Sequence, residues 1–331
     1  MSTGFSCDSI QRWVCCEMET KAWMSDEKSK IVIICGQTGI GKTAVSLEIA
    51  DRFCGEIIGA DSMQIYRYMD IGTAKPTRDE RARIPHHMID LINPDESMDV
   101  ARFTILARQE ISRLFEKAVT PFVVGGTGLY IKGLVHGLFR AKFRSPSVRR
   151  QMEEEAALYG VGALHRQLKI SDPEAADKIH PNDRYRIIRA LEVFETTGKT
   201  ITQHHREHRF SDRPFEVLKI GLRMDREDLY HRINNRCDAM INGGLVDEVK
   251  RLLQMGYTKD HKSMQAIGYR HIIDFMNDHM SWDESLHTFK RDTRRYAKRQ
   301  LTWFKADTET IWIDPGQVGD VQFLVKRFLQ D

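Results

Sequence analysis

The stretch IVIICGQTGIGKTAVSLEIA, residues 31–50, decides the fold. An apolar run from Ile31 to Cys35 leads into a glycine-rich turn, and beyond it Ala44, Leu47, Ile49 and Ala50 recur at helical spacing. Strand, loop and helix in that order open a βα unit. The turn itself reads GQTGIGKT from Gly36 to Thr43, the pattern G-x-x-x-x-G-K-[ST] in the strand-to-helix context that its mechanism requires. Gly36, Gly39 and Gly41 let backbone N–H groups curl around a phosphate, and the helix start adds positive potential. Lys42 supplies a point charge, and the Thr43 hydroxyl is the candidate ligand for Mg²⁺. Gly36, Gln37, Thr38, Gly39, Ile40, Gly41, Lys42 and Thr43 are therefore the candidate diphosphate-binding residues.

Working outward, further short apolar runs fall at residues 56–60, 88–92, 121–124, 217–222 and 310–313, and they alternate with helical stretches such as 100–119. This alternation predicts a P-loop NTPase-like α/β fold, a parallel sheet of five or six strands flanked by helices. No Walker B aspartate closes the run 121–124, where Gly125 and Gly126 stand instead. Its absence argues against an ATP-hydrolysing motor and for an enzyme that grips a pyrophosphate. The first acidic residue at a strand end is Asp61. In a parallel sheet that position faces the phosphate crevice, which leaves Asp61 as a Mg²⁺ ligand, a general base or a cap of the turn through Ser62.

Lys and Arg total 50 against 47 Asp and Glu, a net charge of +3, so any attraction to nucleic acid must come from local clustering. Apolar residues at 41% and charged residues at 29% exclude a disordered or collagenous chain, and no apolar stretch is long enough to span a membrane. The 6 cysteines show no metal-ligand spacing and suit reduced thiols in a cytoplasmic protein. Residues 1–29 read as a loose extension, with Met18 and Met24 as alternative starts. Residues 139–215 lose the strand pattern and read as an all-helical insertion, with 15 Lys/Arg, 11 Asp/Glu and five histidines. Residues 30–138 and 216–331 then form the catalytic core.

Six collinear segments together resemble one family, the tRNA dimethylallyltransferases, or tRNA isopentenyltransferases, of the bacterial type. They are GQTGIGKT from Gly36, DSMQIYRYMDIGTAKP from Asp61, VGGTGLYIKGL from Val124, HPNDRYRIIRALEVFETTGKTIT from His180, AIGYR from Ala266 and RRYAKRQLTWFK from Arg294. Gln37 departs from the proline usual there, and the N-terminal extension has no counterpart. The resemblance implies transfer of a dimethylallyl group from dimethylallyl diphosphate to N6 of the adenosine at tRNA position 37, beside the anticodon, with Mg²⁺ and release of pyrophosphate. It also implies Asp61 as the base on N6, with Thr38 and Arg236 at the diphosphate. Asp61, Ser62, Met63, Gln64, Thr127, Arg149, Tyr185, Arg186, Ile187, Ile188, Arg189, Gln265, Ala266, Ile267, Gly268, Tyr269 and Arg270 match positions that touch tRNA.

The residues read by themselves are consistent with this. Leu229, Ile233 and Met240 form a helical stripe, and Arg236 lies on its inward side unless Cys237 carries the stripe instead. Over residues 282–305, Lys290, Arg291, Arg294, Arg295, Lys298 and Arg299 make one broad basic face, with Leu286, Phe289, Tyr296 and Trp303 toward the core. Unpaired, these cations repel, and an RNA backbone would neutralise them. Tyr66, Tyr185 and Tyr269 are candidate stacking partners for splayed bases. The expected partners are a tRNA anticodon stem-loop and the prenyl diphosphate, with no membrane and a monomeric state. Rivals are prenylation of free AMP, which the basic insert argues against, a small-molecule P-loop kinase, and a nucleotide-gated RNA-binding protein.

Overall fold

The computed structural model describes residues 28–137, 145–208 and 212–331. Most of the expected N-terminal extension lies outside the described residues, as do Arg140, Lys142, Arg144 and Arg209 of the basic insert. The chain forms two compact units, one made of residues up to Val135 together with Pro214–Asp331, the other of His136–Arg213.

In chain order the first unit begins with β1 (Lys30–Gly36), α1 (Lys42–Arg52), β2 (Gly55–Gly59), α2 (Arg78–Arg83), β3 (His86–His87), α3 (Val100–Glu116), β4 (Thr120–Gly125) and α4 (Gly128–His136). The second unit holds α5 (Pro146–Tyr159), α6 (Val161–Ser171), α7 (Pro173–Lys178), α8 (Arg184–Thr197) and α9 (Ile201–His208). The first unit resumes with β5 (Glu216–Leu222), α10 (Arg226–Asn242), α11 (Leu245–Gln254), α12 (Tyr269–Met276), α13 (Trp282–Lys305), β6 (Ile311–Ile313) and α14 (Val318–Gln330). No helix among the described residues is long and apolar enough to cross a membrane.

The six strands form one parallel sheet in the order β3-β2-β4-β1-β5-β6. β1 lies between β4 and β5, with Val32 opposite both Phe122 and Leu218. Covered on both faces, it has no polar side to show water, and Ile31, Val32, Ile33, Ile34 and Cys35 are all fully buried. This is why its sequence is a continuous apolar run. Because the strands are parallel, all their carboxyl ends meet along one edge, which gathers the phosphate loop after β1, Asp61 after β2 and the glycines of β4.

Two expected elements differ. The run 88–92 is not a strand: Met88 and Asp90 take left-handed φ of 63° and 55°, and the short β3 forms just before them. Asp90 instead binds Lys75 at 2.6 Å and Arg81 at 2.9 Å. The helical pattern of the sequence also runs on from residue 226 to 255, and the structure divides it into α10 and α11 at Gly243 and Gly244, the latter with φ 97°.

The second unit has its own core, built from Met152, Leu164, Leu168, Ile187, Ile188 and Leu191 with small alanines between them. Buried Asp172 ties it together, capping α7 through the Ala175 N–H at 3.1 Å and accepting from the Thr202 N–H at 3.0 Å.

Candidate active site

At the start of α1 the N-cap is Gly41, with φ 102° and no side-chain cap. The first-turn N–H groups are thus left to a ligand, an arrangement suited to an anion. Gly39 reaches φ 79° in the same turn, a conformation that L side chains rarely adopt. Ile40 is fully buried and anchors the loop to the core. The Lys42 ammonium folds back and donates to the carbonyls of Gly36 at 3.1 Å and Gln37 at 2.8 Å.

Asp61 follows β2. Its Oδ1 accepts the N–H of Met63 at 2.8 Å and of Gln64 at 3.4 Å, so the carboxylate does organise the turn that carries it. It also lines a cavity of about 260 Å³. Thr38 and Arg236 stand on the same wall system, with Met63, Ile233, Met240, Ile267 and Phe289 forming an apolar side. Ser62, Gln265, Ala266 and Tyr269 also line it, as do Thr293 and Tyr296. The pocket is therefore lined by charged and apolar side chains together, which suits a small molecule with an anionic head and a hydrocarbon tail.

The charged groups here are electrostatically coupled. Burial lowers the Lys42 ammonium to about 8 against the pull of Asp61, and Arg236 adds to the lowering. Arg236 is held below its ordinary value by burial, with Asp61 opposing. Tyr296 is pushed up by burial and by Asp61. Two cations that are poorly hydrated in the free protein are ready to bind an anion, because much of their desolvation is already in place.

Arg236 and Cys237 share the inner side of α10: Leu229, Ile233 and Cys237 are the buried stripe, and Arg236 stands beside it at the cavity. The missing Walker B aspartate has a steric reason. A Cβ at Gly125 would lie 2.1 Å from the Ala60 carbonyl oxygen, so β4 and the β2 end can approach only without a side chain there. Next to it, Thr127 Oγ1 accepts the Ser62 N–H at 3.0 Å and holds the Asp61 turn against β4.

Other sequence candidates act as frame. Gln64 donates to the carbonyls of Thr73 and Ala74, at 3.2 and 3.1 Å. Gln37 is buried and donates to the Ala297 carbonyl at 3.0 Å. Tyr269 and Tyr66 are core residues and no stacking platforms: the Tyr269 ring packs against Gly72 and its hydroxyl donates to buried Glu248 at 2.6 Å. Glu248 also receives the N–H groups of Asp70, Ile71 and Gly72, so one carboxylate shapes that turn. Gly268, at φ 95°, starts α12, and Arg270 is held by Asp292 at 2.5 Å.

On α13 the basic face is compensated in part, where its reading had it unpaired. Lys290 pairs with Asp238 at 2.6 Å, and Arg294 donates to Asn234 at 2.6 Å. Asp292 sits among Arg270, Arg291 and Arg295. Trp303, expected in the core, is exposed, while Ala297, Gln300 and Phe304 take the buried positions.

In the second unit, Ile187 and Ile188 are core residues whose side chains are closed to any partner. Tyr185 is exposed, with the Arg149 guanidinium 5.2 Å from its ring centroid. Arg189 binds buried Glu192 at 2.8 Å, and Arg186 is exposed.

Sequence reasoning assigned no role to Gln300 or Glu248 and placed Tyr296 in the core. A signal was present for Gln300: it continues the spacing of Phe289, Tyr296 and Phe304, a polar residue on an inward stripe.

The IPP transferase family model matches residues 64–307, and the isopentenyl transferase model matches residues 29–93. A tRNA dimethylallyltransferase of Desulfosudis oleivorans is 50% identical over 304 residues, covering 92% of this chain and 97% of that protein. The crystal structure of the full-length tRNA isopentenylpyrophosphate transferase of Bacillus halodurans superposes with TM-score 0.69 at 41% identity, covering 92% of this chain and 97% of its own. A eukaryotic dimethylallyltransferase, solved while acting on tRNA, superposes with TM-score 0.74 at 28% identity over 86% of this chain and 74% of its own. With motifs, fold and overall likeness all in agreement, this chain belongs to the tRNA dimethylallyltransferase, or IPP transferase, family.

Proposed function

We propose that the chain transfers a dimethylallyl group from dimethylallyl diphosphate to N6 of adenosine-37 in tRNA and releases pyrophosphate. The observation that carries this reading is the cavity whose lining brings Asp61, Thr38 and Arg236 together with the apolar side chains of Met63, Ile233 and Met240. The phosphate loop, Lys42 and Arg236 take the diphosphate, and Met63, Ile233 and Met240 receive the prenyl chain.

Adenine N6 is a weak nucleophile because its lone pair is delocalised into the ring. As the N–C bond forms, Asp61 takes the N6 proton, while the allylic C–O bond breaks and its electron pair leaves with pyrophosphate. Lys42, Arg236 and the loop amides stabilise the charge gathering on the leaving group. Among the described residues no three His, Cys, Asp or Glu side chains cluster as a metal site. Thr43 at the loop end offers a hard oxygen donor, which fits Mg²⁺ held mainly by substrate phosphates and water. When bound, the ion supplies further neutralisation of the diphosphate. On the RNA side, exposed Arg295 and Lys298 of α13 and, within the second unit, Tyr185 and Arg186 are the contacts this reading favours.

The test is incubation with dimethylallyl diphosphate, Mg²⁺ and unmodified tRNA, followed by mass analysis of the digested nucleosides. Prenylated adenosine at position 37 is the expected product; unmodified adenosine throughout sinks the reading.

A further inference from the structure

Gln300 projects from the inward face of α13 and is almost entirely buried. Its carboxamide is spent on two different walls of the candidate site. Oε1 accepts the Thr38 N–H at 2.8 Å, and Nε2 donates to the Gly126 carbonyl at 2.8 Å. One turn earlier on the helix, the Ala297 carbonyl accepts from Gln37 at 3.0 Å. Neighbouring loop residues thus both donate to α13, Gln37 from its side chain to a backbone carbonyl and Thr38 from its backbone to a side chain.

Two consequences follow from this geometry. The Thr38 N–H is directed at a protein oxygen, so it is removed from the ring of amides that face a phosphate, and the setting of Thr38 is fixed by α13. The other arm ends on Gly126, next to Gly125, which abuts Ala60, the residue before Asp61. A Cβ on Gly126 would stand 2.3 Å from Nε2, so the amide reaches its acceptor only because no side chain intervenes. One rigid amide therefore spans from the donor-binding loop to the strand end supporting the Asp61 turn.

We propose that Gln300 is a positioning residue for the transfer reaction, fixing Thr38 and the Asp61 side of the cavity at the separation the reacting atoms need. The proposal rests on the function given above. A buried amide that only stabilised the core would affect folding; one that sets a reacting distance must affect turnover, since a displacement of about 1 Å can cost on the order of 100-fold in rate.

Two variants separate these roles. Gln300→Met keeps length and burial and removes every hydrogen bond of the amide, whereas Gln300→Glu keeps an acceptor for the Thr38 N–H and loses the donor to Gly126. Each is measured for thermal midpoint, tRNA affinity and steady-state prenylation. For Gln300→Met, kcat should fall about 10–100-fold while tRNA affinity stays within about twofold, and Gln300→Glu should recover part of the rate. The proposal is overturned by a Gln300→Met kcat within about twofold of wild type, by parallel loss of tRNA affinity, or by a Gln300→Glu variant no better than Gln300→Met. Should Gln300→Met fail to fold, Gln300→Glu decides alone, lowered kcat with intact tRNA affinity supporting the role and unchanged kcat removing it. A wild-type chain that prenylates nothing overturns the function itself, while an active wild type with an unaffected variant overturns only the role of Gln300.

Discussion

The surroundings of the cavity and the outer face of α13 both carry clustered cations, and the protein treats them oppositely. Beside the cavity Lys42, and on its wall Arg236, are pulled below their ordinary pKa values by burial, and Asp61 is the charge that opposes this. On α13, six cations are more exposed, yet Lys290, Arg291 and Arg294 each have a partner within 3.0 Å. Pairing within the protein thus leaves Arg295 and Lys298 as the more available charges of the helix. Counting basic residues therefore overstates the RNA-binding value of the helix and understates that of the cavity.

The largest loss of activity is expected at Asp61. Asp61→Asn retains an oxygen that can accept the Met63 and Gln64 N–H groups but cannot take a proton from N6. Steady-state assays should show kcat lower by about 10²–10⁴, with donor and tRNA affinities near wild type. A deficit relieved by excess Mg²⁺ would make the carboxylate a metal ligand instead, and near-normal kcat would leave it only the turn.

Next in size is Lys42. Its replacement by Ala removes a charge-assisted grip worth about 1.5–3 kcal/mol, so kcat/KM for the donor should fall roughly 10–100-fold with tRNA affinity unchanged. The depressed pKa adds a second readout. A lysine at about 8 is charged below that pH and neutral above it, so donor kcat/KM in wild type should fall as pH rises through about 8. In Lys42→Ala that step should be missing from the pH profile; an identical step in both proteins assigns it to another group.

How legible these two regions were in the sequence differs for a physical reason. The phosphate loop and the helical run of α13 follow from local rules, namely motif context and helical period, whereas the period left Arg236 and Cys237 as alternatives and the structure gives the stripe to Cys237, with Arg236 beside it at the cavity. The pairing of α13 does not, because Asp238 and Asn234 come from α10, far away in sequence. Likewise, Tyr66 and Tyr269 carry the same aromatic signal as exposed Tyr185, and only tertiary packing sorts buried rings from open ones. Gln300 was hidden in a basic segment because its partners, Thr38 and Gly126, lie more than 170 residues away. The strand expected over 88–92 failed on backbone conformation, since left-handed φ at Met88 and Asp90 leaves no trace in hydropathy.

The cations on α13 differ in how available they are to RNA, and the effects expected of removing them are smaller. Lys290 is bound to Asp238 at 2.6 Å and three-quarters covered, whereas Arg295 is 63% exposed and 3.7 Å from Asp292. Lys298 is exposed and has no ion pair among the described residues. Each phosphate contact releases condensed counterions, so removing one lowers the log–log salt slope of tRNA binding by about 0.7–0.9. Arg295→Ala combined with Lys298→Ala should therefore flatten the slope by about 1.5 and weaken binding at low salt. Lys290→Ala should leave the slope unchanged, because its charge is already neutralised within the protein. Salt titrations of tRNA binding by both variants decide the matter: equal slopes would mean that pairing within the protein does not govern which charges RNA can use.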